Sequence, residues 1–154
     1  MAPRRRSAAF SLLEVAVAQM ILGLSIAALC ELFAAGGAAT NGATELTQAI
    51  NLANIPHDIA LGLPFSPREG AEIGPFGEIW DLDGQAFAPP IDAEGTAIPS
   101  AQGWRQEVTV EAVDPERNLA PVEDRRRGRA ARLTVAVYRH ERLVYMGHWL
   151  IAKP

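Results

Sequence analysis

The feature that most constrains this chain is an apolar run from Phe10 to Leu29 that carries a single charge, Glu14. Arg4, Arg5 and Arg6 stand a few residues ahead of it. An apolar segment of about 20 residues crosses a bilayer as a helix. Basic residues beside such a segment stay on the cytoplasmic side. A carboxylate within it costs up to about 2.5–3.5 kcal/mol at the helix centre. Glu14 therefore calls for a neutralising partner, and that partner is the functional question.

The chain has 154 residues, about one domain. The first third goes to the apolar segment and its continuation, which leaves enough chain for one modest core. The formal charge is −4. Beyond the three leading arginines, 11 basic side chains face 18 acidic ones, so the body is acidic. That balance argues against broad nucleic-acid binding, which depends on neutralising phosphates. Cys30 is the only cysteine, so the chain cannot form an intrachain disulfide.

Several export signals share a basic head and an apolar stretch. A cleaved signal peptide has an apolar region of about 7–15 residues, shorter than this one, although small residues at Ala34 to Ala39 leave a cut near Thr40 open. A twin-arginine signal would carry a bulky apolar residue soon after the arginine pair, and Ser7, Ala8 and Ala9 follow instead. A lipoprotein signal would place a small residue before the cysteine, and Leu29 precedes Cys30. Both fit poorly.

The stretch AAFSLLEV resembles the type IV prepilin signature. In that family a basic leader ends at a small residue, usually glycine. A phenylalanine, a serine or threonine, two apolar residues and a glutamate follow. Phe10, Ser11, Leu12, Leu13 and Glu14 fall on those places, and Ala9 replaces the usual glycine. The resemblance implies cleavage by a prepilin peptidase between Ala9 and Phe10, with N-methylation of Phe10. It further implies that the Phe10 amine, charged because α-amino groups titrate at about 7.7–8.0, pairs with Glu14 of an adjacent subunit. Opposite charges in low dielectric attract strongly and relieve each other's desolvation. Alternatively, Glu14 reaches the headgroup layer as an incidental polar residue, helped by the helix N-terminus.

Along the apolar helix, Ala16, Ala18, Gly23, Ala27 and Ala28 would let neighbouring helices approach closely. Gly23 is a weak point for helical continuity, Glu31 marks the far interface, and Gly36–Gly37 loosens the exit. Leu46, Ala49, Ile50 and Ala53 then recur at helical spacing, which predicts a half-buried helix lying on a sheet. Pro56 is expected to kink or end it near Ile55.

From Pro64 to Gln102 glycine and proline predict a long irregular segment, with one short strand around Glu78–Leu82. Trp104 to Val113 alternates, placing Trp104, Gln106, Val108, Val110 and Ala112 on one face. Arg132 to Arg139 does the same with Leu133, Val135 and Val137. A turn at His140–Arg142 leads to a last strand, Leu143 to Ala152. The fold class expected is α+β: a long N-terminal helix, transmembrane in its first half, on a small antiparallel sheet of three or four strands, a pilin-like ladle. The segments expected are a cleaved leader at 1–9, a transmembrane and filament-core helix at 10–35, an amphipathic continuation at 36–63, and a globular domain at 64–154.

Residues able to do chemistry are sparse. Asp81-Leu82-Asp83-Gly84 has a fragment of a calcium loop but lacks the six or more oxygens such a site needs, and Asp-Gly is a turn signal. His57, His140 and His148 are scattered, whereas zinc needs three or four converging ligands. Asp58 adjoins His57 and Glu141 adjoins His140, which does not itself make either pair face one another. No nucleophile or phosphate-loop motif appears. Thus no cofactor and no enzymatic activity are expected. Arg125, Arg126, Arg127 and Arg129 form the sharpest charge feature. They read as a solvated loop tip or, alternatively, a contact for DNA or another polyanion, although no aromatics interleave to stack on bases.

The function expected is that of a minor pilin or minor pseudopilin, a structural subunit of a type IV pilus or a type II secretion pseudopilus. Major pilins often close with a disulfide, and major pseudopilins often hold calcium near the C-terminus, where this chain has no acidic cluster. The implied partners are prepilin peptidase, other pilin or pseudopilin subunits, the inner-membrane assembly platform and the membrane. DNA is not expected among them. The implied location is the inner membrane, single-pass, with the N-terminus cytoplasmic and the C-terminal domain extracytoplasmic, and then the filament. The alternative is a single-pass anchored binding module that uses the arginine loop.

Overall fold

The computed structural model describes residues 11–66, 75–123, 125 and 129–152. A single helix, α1, covers Leu12–Gly62. The chain divides into two compact units, Met1–Ala43 and Thr44–Pro154.

In the first unit, every residue of α1 from 12 to 43 is exposed. At about 1.5 Å per residue this stretch is roughly 48 Å long, longer than the about 30 Å hydrocarbon core of a bilayer. The helix is unbroken through Gly23, Gly36 and Gly37, so the glycine pair does not interrupt it. Ser25 Oγ donates to the Ile21 carbonyl at 2.8 Å, and Thr40 Oγ1 donates to the Gly36 carbonyl at 2.9 Å. Such back-bonding satisfies hydroxyls within the helix itself.

In the second unit, the rest of α1 buries Ala49, Ala53, Pro56, Ile59 and Ala60. They pack into a core with Val108, Val110, Leu133, Val135 and Val137 from the sheet. Alanines at the contact let the helix lie close to the strands. Pro56 neither ends nor breaks the helix, contrary to expectation, and α1 runs six residues past it. A proline in a helix interior costs about 3 kcal/mol, partly because it offers no N–H to the carbonyl four residues earlier. Here that carbonyl is Leu52's, and it accepts from Gln106 Nε2 at 2.7 Å instead.

The sheet is antiparallel and has five strands: β1 (Ala86–Phe87), β2 (Trp104–Asp114), β3 (Ala120–Pro121), β4 (Ala130–Arg139) and β5 (Arg142–Ala152). Their order is β1-β2-β4-β5, with β3 also paired to β2. The three long strands are those that alternation predicted, and the α+β class holds. The inward set on β2 is Trp104, Gln106, Val108, Val110 and Ala112, all buried. His140 and Glu141, at φ 47 and 64, form a two-residue turn, and Arg142 already belongs to β5.

No strand forms at Glu78–Leu82. Ile79–Leu82 is a 3-10 turn whose Ile79, Trp80 and Leu82 are all buried. Three buried residues in four defeat strand alternation. The Asp81 carboxylate accepts from the Gly77 and Glu78 N–H groups at 2.8 and 3.0 Å, which pulls the chain round.

Candidate membrane and assembly site

Ser11 caps the head of α1. Its Oγ accepts from the Leu13 N–H at 3.2 Å, and its carbonyl accepts from the Glu14 and Val15 N–H groups at 3.0 and 3.2 Å. Ser11 and Glu14 thus stand at the spacing of a capping box, Ser-x-x-Glu. Glu14 lies in the first turn, where a negative charge interacts favourably with the helix N-terminus. The signature's serine and glutamate therefore have a local role within one chain. The spacing that would have revealed it is legible in the sequence. Ala9 and Phe10, with the expected cleavage and amine, lie outside the described residues.

From Val15 to Cys30 the helix carries no charge and is mostly apolar. One 18-residue window has a mean hydropathy of 2.1, with none of it buried. Leu12, Phe33, Met20 and Leu24 are each at least 70% exposed. A helix of this length and composition is able to cross a membrane. Cys30 lies on it and is exposed.

The arginine loop sits between β3 and β4. Arg126 and Arg127 lie outside the described residues. Arg125 donates to Asp83 Oδ2 at 2.6 Å and places its guanidinium 5.6 Å from the centre of the Trp80 ring. Asp83 Oδ1 accepts from the Val110 N–H at 2.9 Å, so this one carboxylate joins the loop to β2. Arg129 pairs with Glu116, and Arg132 donates through both Nε and Nη2 to Glu111. Each of these three cations thus has an acid of its own chain, which leaves less charge for an external polyanion.

The acidic pair of the apparent calcium fragment is likewise engaged, Asp81 as a cap and Asp83 on Val110 and Arg125. Among the described residues, no three of histidine, cysteine, aspartate and glutamate come together as metal ligands would. The histidines remain apart. His57 stacks on Trp149 with ring centres 5.0 Å apart, and its Nδ1 lies 3.2 Å from Asp58 Oδ1, so these neighbours do meet. His148 Nδ1 meets Thr134 Oγ1 at 3.0 Å. The His140 ring lies against Gly103, which at φ +81 needs the freedom of glycine.

On the outer sheet face, Arg105 lies 4.4 Å from the centre of the Tyr138 ring and pairs with Glu107 and Glu141. Tyr138 is held above its ordinary pKa of 10.0, first by its hydrogen bond to Glu107 and then by burial. An open depression of about 390 Å³ lies between Pro89, Gly103, Arg105 and His140. Its cation is already committed to two carboxylates. Comparison with protein-family models, with curated proteins and with solved structures returned no match.

Proposed function

We propose that this chain is a membrane-anchored structural subunit of the type IV pilin-like class, a minor pilin or minor pseudopilin. The observation that supports the reading is the head of α1. A capped first turn carries Glu14, the only charge from residue 11 to residue 30, at the start of a long helix whose stretch 12–43 is exposed throughout. In a lipid bilayer such a helix is solvated by acyl chains. In a filament it is solvated by the same helices of other subunits, where small residues permit close approach.

On this reading a prepilin peptidase removes residues 1–9, and the freed and methylated Phe10 amine pairs with Glu14 of the neighbouring subunit. The charge pair matters because each group is otherwise stranded in low dielectric. The subunit works by packing, without substrate turnover, after passing from the inner membrane into a pilus or pseudopilus. Its extracytoplasmic unit presents the sheet to neighbours. A polyanion-binding anchor is the weaker reading, since Arg125, Arg129 and Arg132 are each paired within the chain.

Mass analysis of the chain from cells with an active prepilin peptidase tests the proposal. The expected mass lacks residues 1–9 and carries one added methyl group. Glu14→Ala is expected to remain in the membrane fraction but to fail to co-sediment with filaments. A chain that retains its first nine residues would refute the reading.

A further inference from the structure

An open groove of about 330 Å³ lies between α1 and the 3-10 turn Pro99–Ala101. Gln48, Asn51 and Leu52 line it from α1, Ile98 and Ser100 from the turn and its approach, and Trp104 from the first position of β2. All six lie in the second unit. Gln48 and Asn51 are three residues apart and so share one face of the helix. Gln106 ties α1 to the segment opposite. It donates to the Leu52 carbonyl at 2.7 Å and accepts from the Ile91 N–H at 3.0 Å, and the Ile98 N–H donates to the neighbouring Pro90 carbonyl at 2.7 Å. The groove is therefore fixed by the fold itself, as small-ligand sites usually are.

Its polar groups are unspent. Trp104 is only 8% exposed, yet its indole N–H bonds to no described residue. A buried tryptophan N–H normally has a partner. The side chains of Gln48, Asn51 and Ser100 likewise make no hydrogen bond to a described residue. No charged side chain lines the groove, so nothing there selects a phosphate or a carboxylate. Each amide offers an acceptor and two donors, the serine hydroxyl does both, and the indole donates. Such a set suits adjacent hydroxyls, which themselves donate and accept. Leu52 and Ile98 add apolar surface beside it. Sugar rings present both features, hydroxyls at the rim and C–H groups on the face. The volume falls at the small end of the about 300–1,000 Å³ of small-molecule sites.

We propose that this groove binds a neutral saccharide. The Trp104 N–H, Gln48, Asn51 and Ser100 hold its hydroxyls, and Leu52 and Ile98 meet its C–H face. Because the groove is open, it accepts a unit within a glycan chain as well as a free end. The proposal goes beyond the filament reading and does not rest on it.

The test titrates the full-length chain, in micelles of a detergent without a sugar head group, with cellotriose, maltotriose and triacetylchitotriose. The readout is the indole N–H signal of each tryptophan by nuclear magnetic resonance, with Trp104 assigned through Trp104→Phe. At least one trisaccharide is expected to shift the Trp104 signal saturably, with a Kd of about 1 mM or tighter. Gln48 and Asn51 are exposed, so Gln48→Ala with Asn51→Ala leaves the core intact. That double variant should bind at least about fivefold more weakly, since two hydrogen-bonding groups are gone, with an unchanged urea midpoint. Failure of all three sugars to saturate the signal would overturn the proposal, as would a smaller loss in the double variant. Saturation by the neutral peptide trialanine amide with no sugar active would also overturn it. Removal of residues 1–9 is not read by this experiment, so its failure leaves the processing test untouched.

Discussion

Gln106 supplies to the Leu52 carbonyl the hydrogen bond that Pro56 cannot. Its Nε2 donates at 2.7 Å, and its Oε1 accepts from the Ile91 N–H at 3.0 Å. The side chain is fully buried, so either group left alone would lack water. Gln106→Leu is therefore expected to destabilise the body by about 1–3 kcal/mol. Pro56→Ala returns an N–H to Leu52, so the cost of Gln106→Leu should shrink in that background. All three tryptophans, Trp80, Trp104 and Trp149, lie in the second unit. Urea unfolding followed by their fluorescence reads the cycle, and strictly additive costs would refute the coupling.

Gly147 is required by contact rather than by backbone conformation. A Cβ there would stand 2.3 Å from the Trp149 ring, which real atoms do not tolerate. Gly147→Ala is expected to displace Trp149 from its stack on His57 and to cost about 1–3 kcal/mol, as overpacking does. A shifted tryptophan emission together with a lower urea midpoint would confirm it. An unchanged emission maximum would show that the indole is not held there.

The long strands were legible because period-two alternation over ten residues has one solution with a buried face. That periodicity also placed Gln106 inside. It could not name the partner, since Leu52 lies 54 residues away and its carbonyl is free only because of Pro56. The same pairing explains why proline failed as a stop signal: the rule concerns the local chain, and the remedy is tertiary. At Ile79–Leu82 the local alternation was too short to compete with the Asp81 cap. Of the candidate site, the apolar rod and Glu14 were legible from composition and spacing. The acids engaging Arg125, Arg129 and Arg132 lie 42, 13 and 21 residues away, where no local pattern shows them.

Tyr138 gives the body a handle on alkaline pH. Glu107 accepts its hydroxyl, burial adds to the effect, and Arg105 opposes it, leaving the folded pKa above 10.0. The native state thus holds the phenolic proton more tightly than the unfolded chain. This contribution to stability is fully present below pH about 10 and is lost as pH rises through the folded value. Unfolding midpoints across that window should fall more steeply for the natural chain than for Tyr138→Phe. Near-ultraviolet tyrosinate absorbance should show one tyrosine titrating late, and Glu107→Gln should bring it earlier.

Asp83 and Arg125 separate a structural arginine from a polyanion-binding one. The Arg125 side chain is about half exposed, at 49%, so its pair with Asp83 is worth under about 1 kcal/mol. Asp83 also receives the Val110 N–H at 2.9 Å, so its loss strands a backbone donor at the sheet. Asp83→Ala should therefore cost about 1–3 kcal/mol, and Arg125→Ala distinctly less. If these arginines serve the fold, replacing Arg125 and Arg129 together leaves DNA retention unchanged at physiological salt. Binding energy carried by phosphate contacts would instead fall with each cation removed and with added salt. A tenfold loss of retention in the double variant, with its urea midpoint intact, would restore the arginine loop as a binding site.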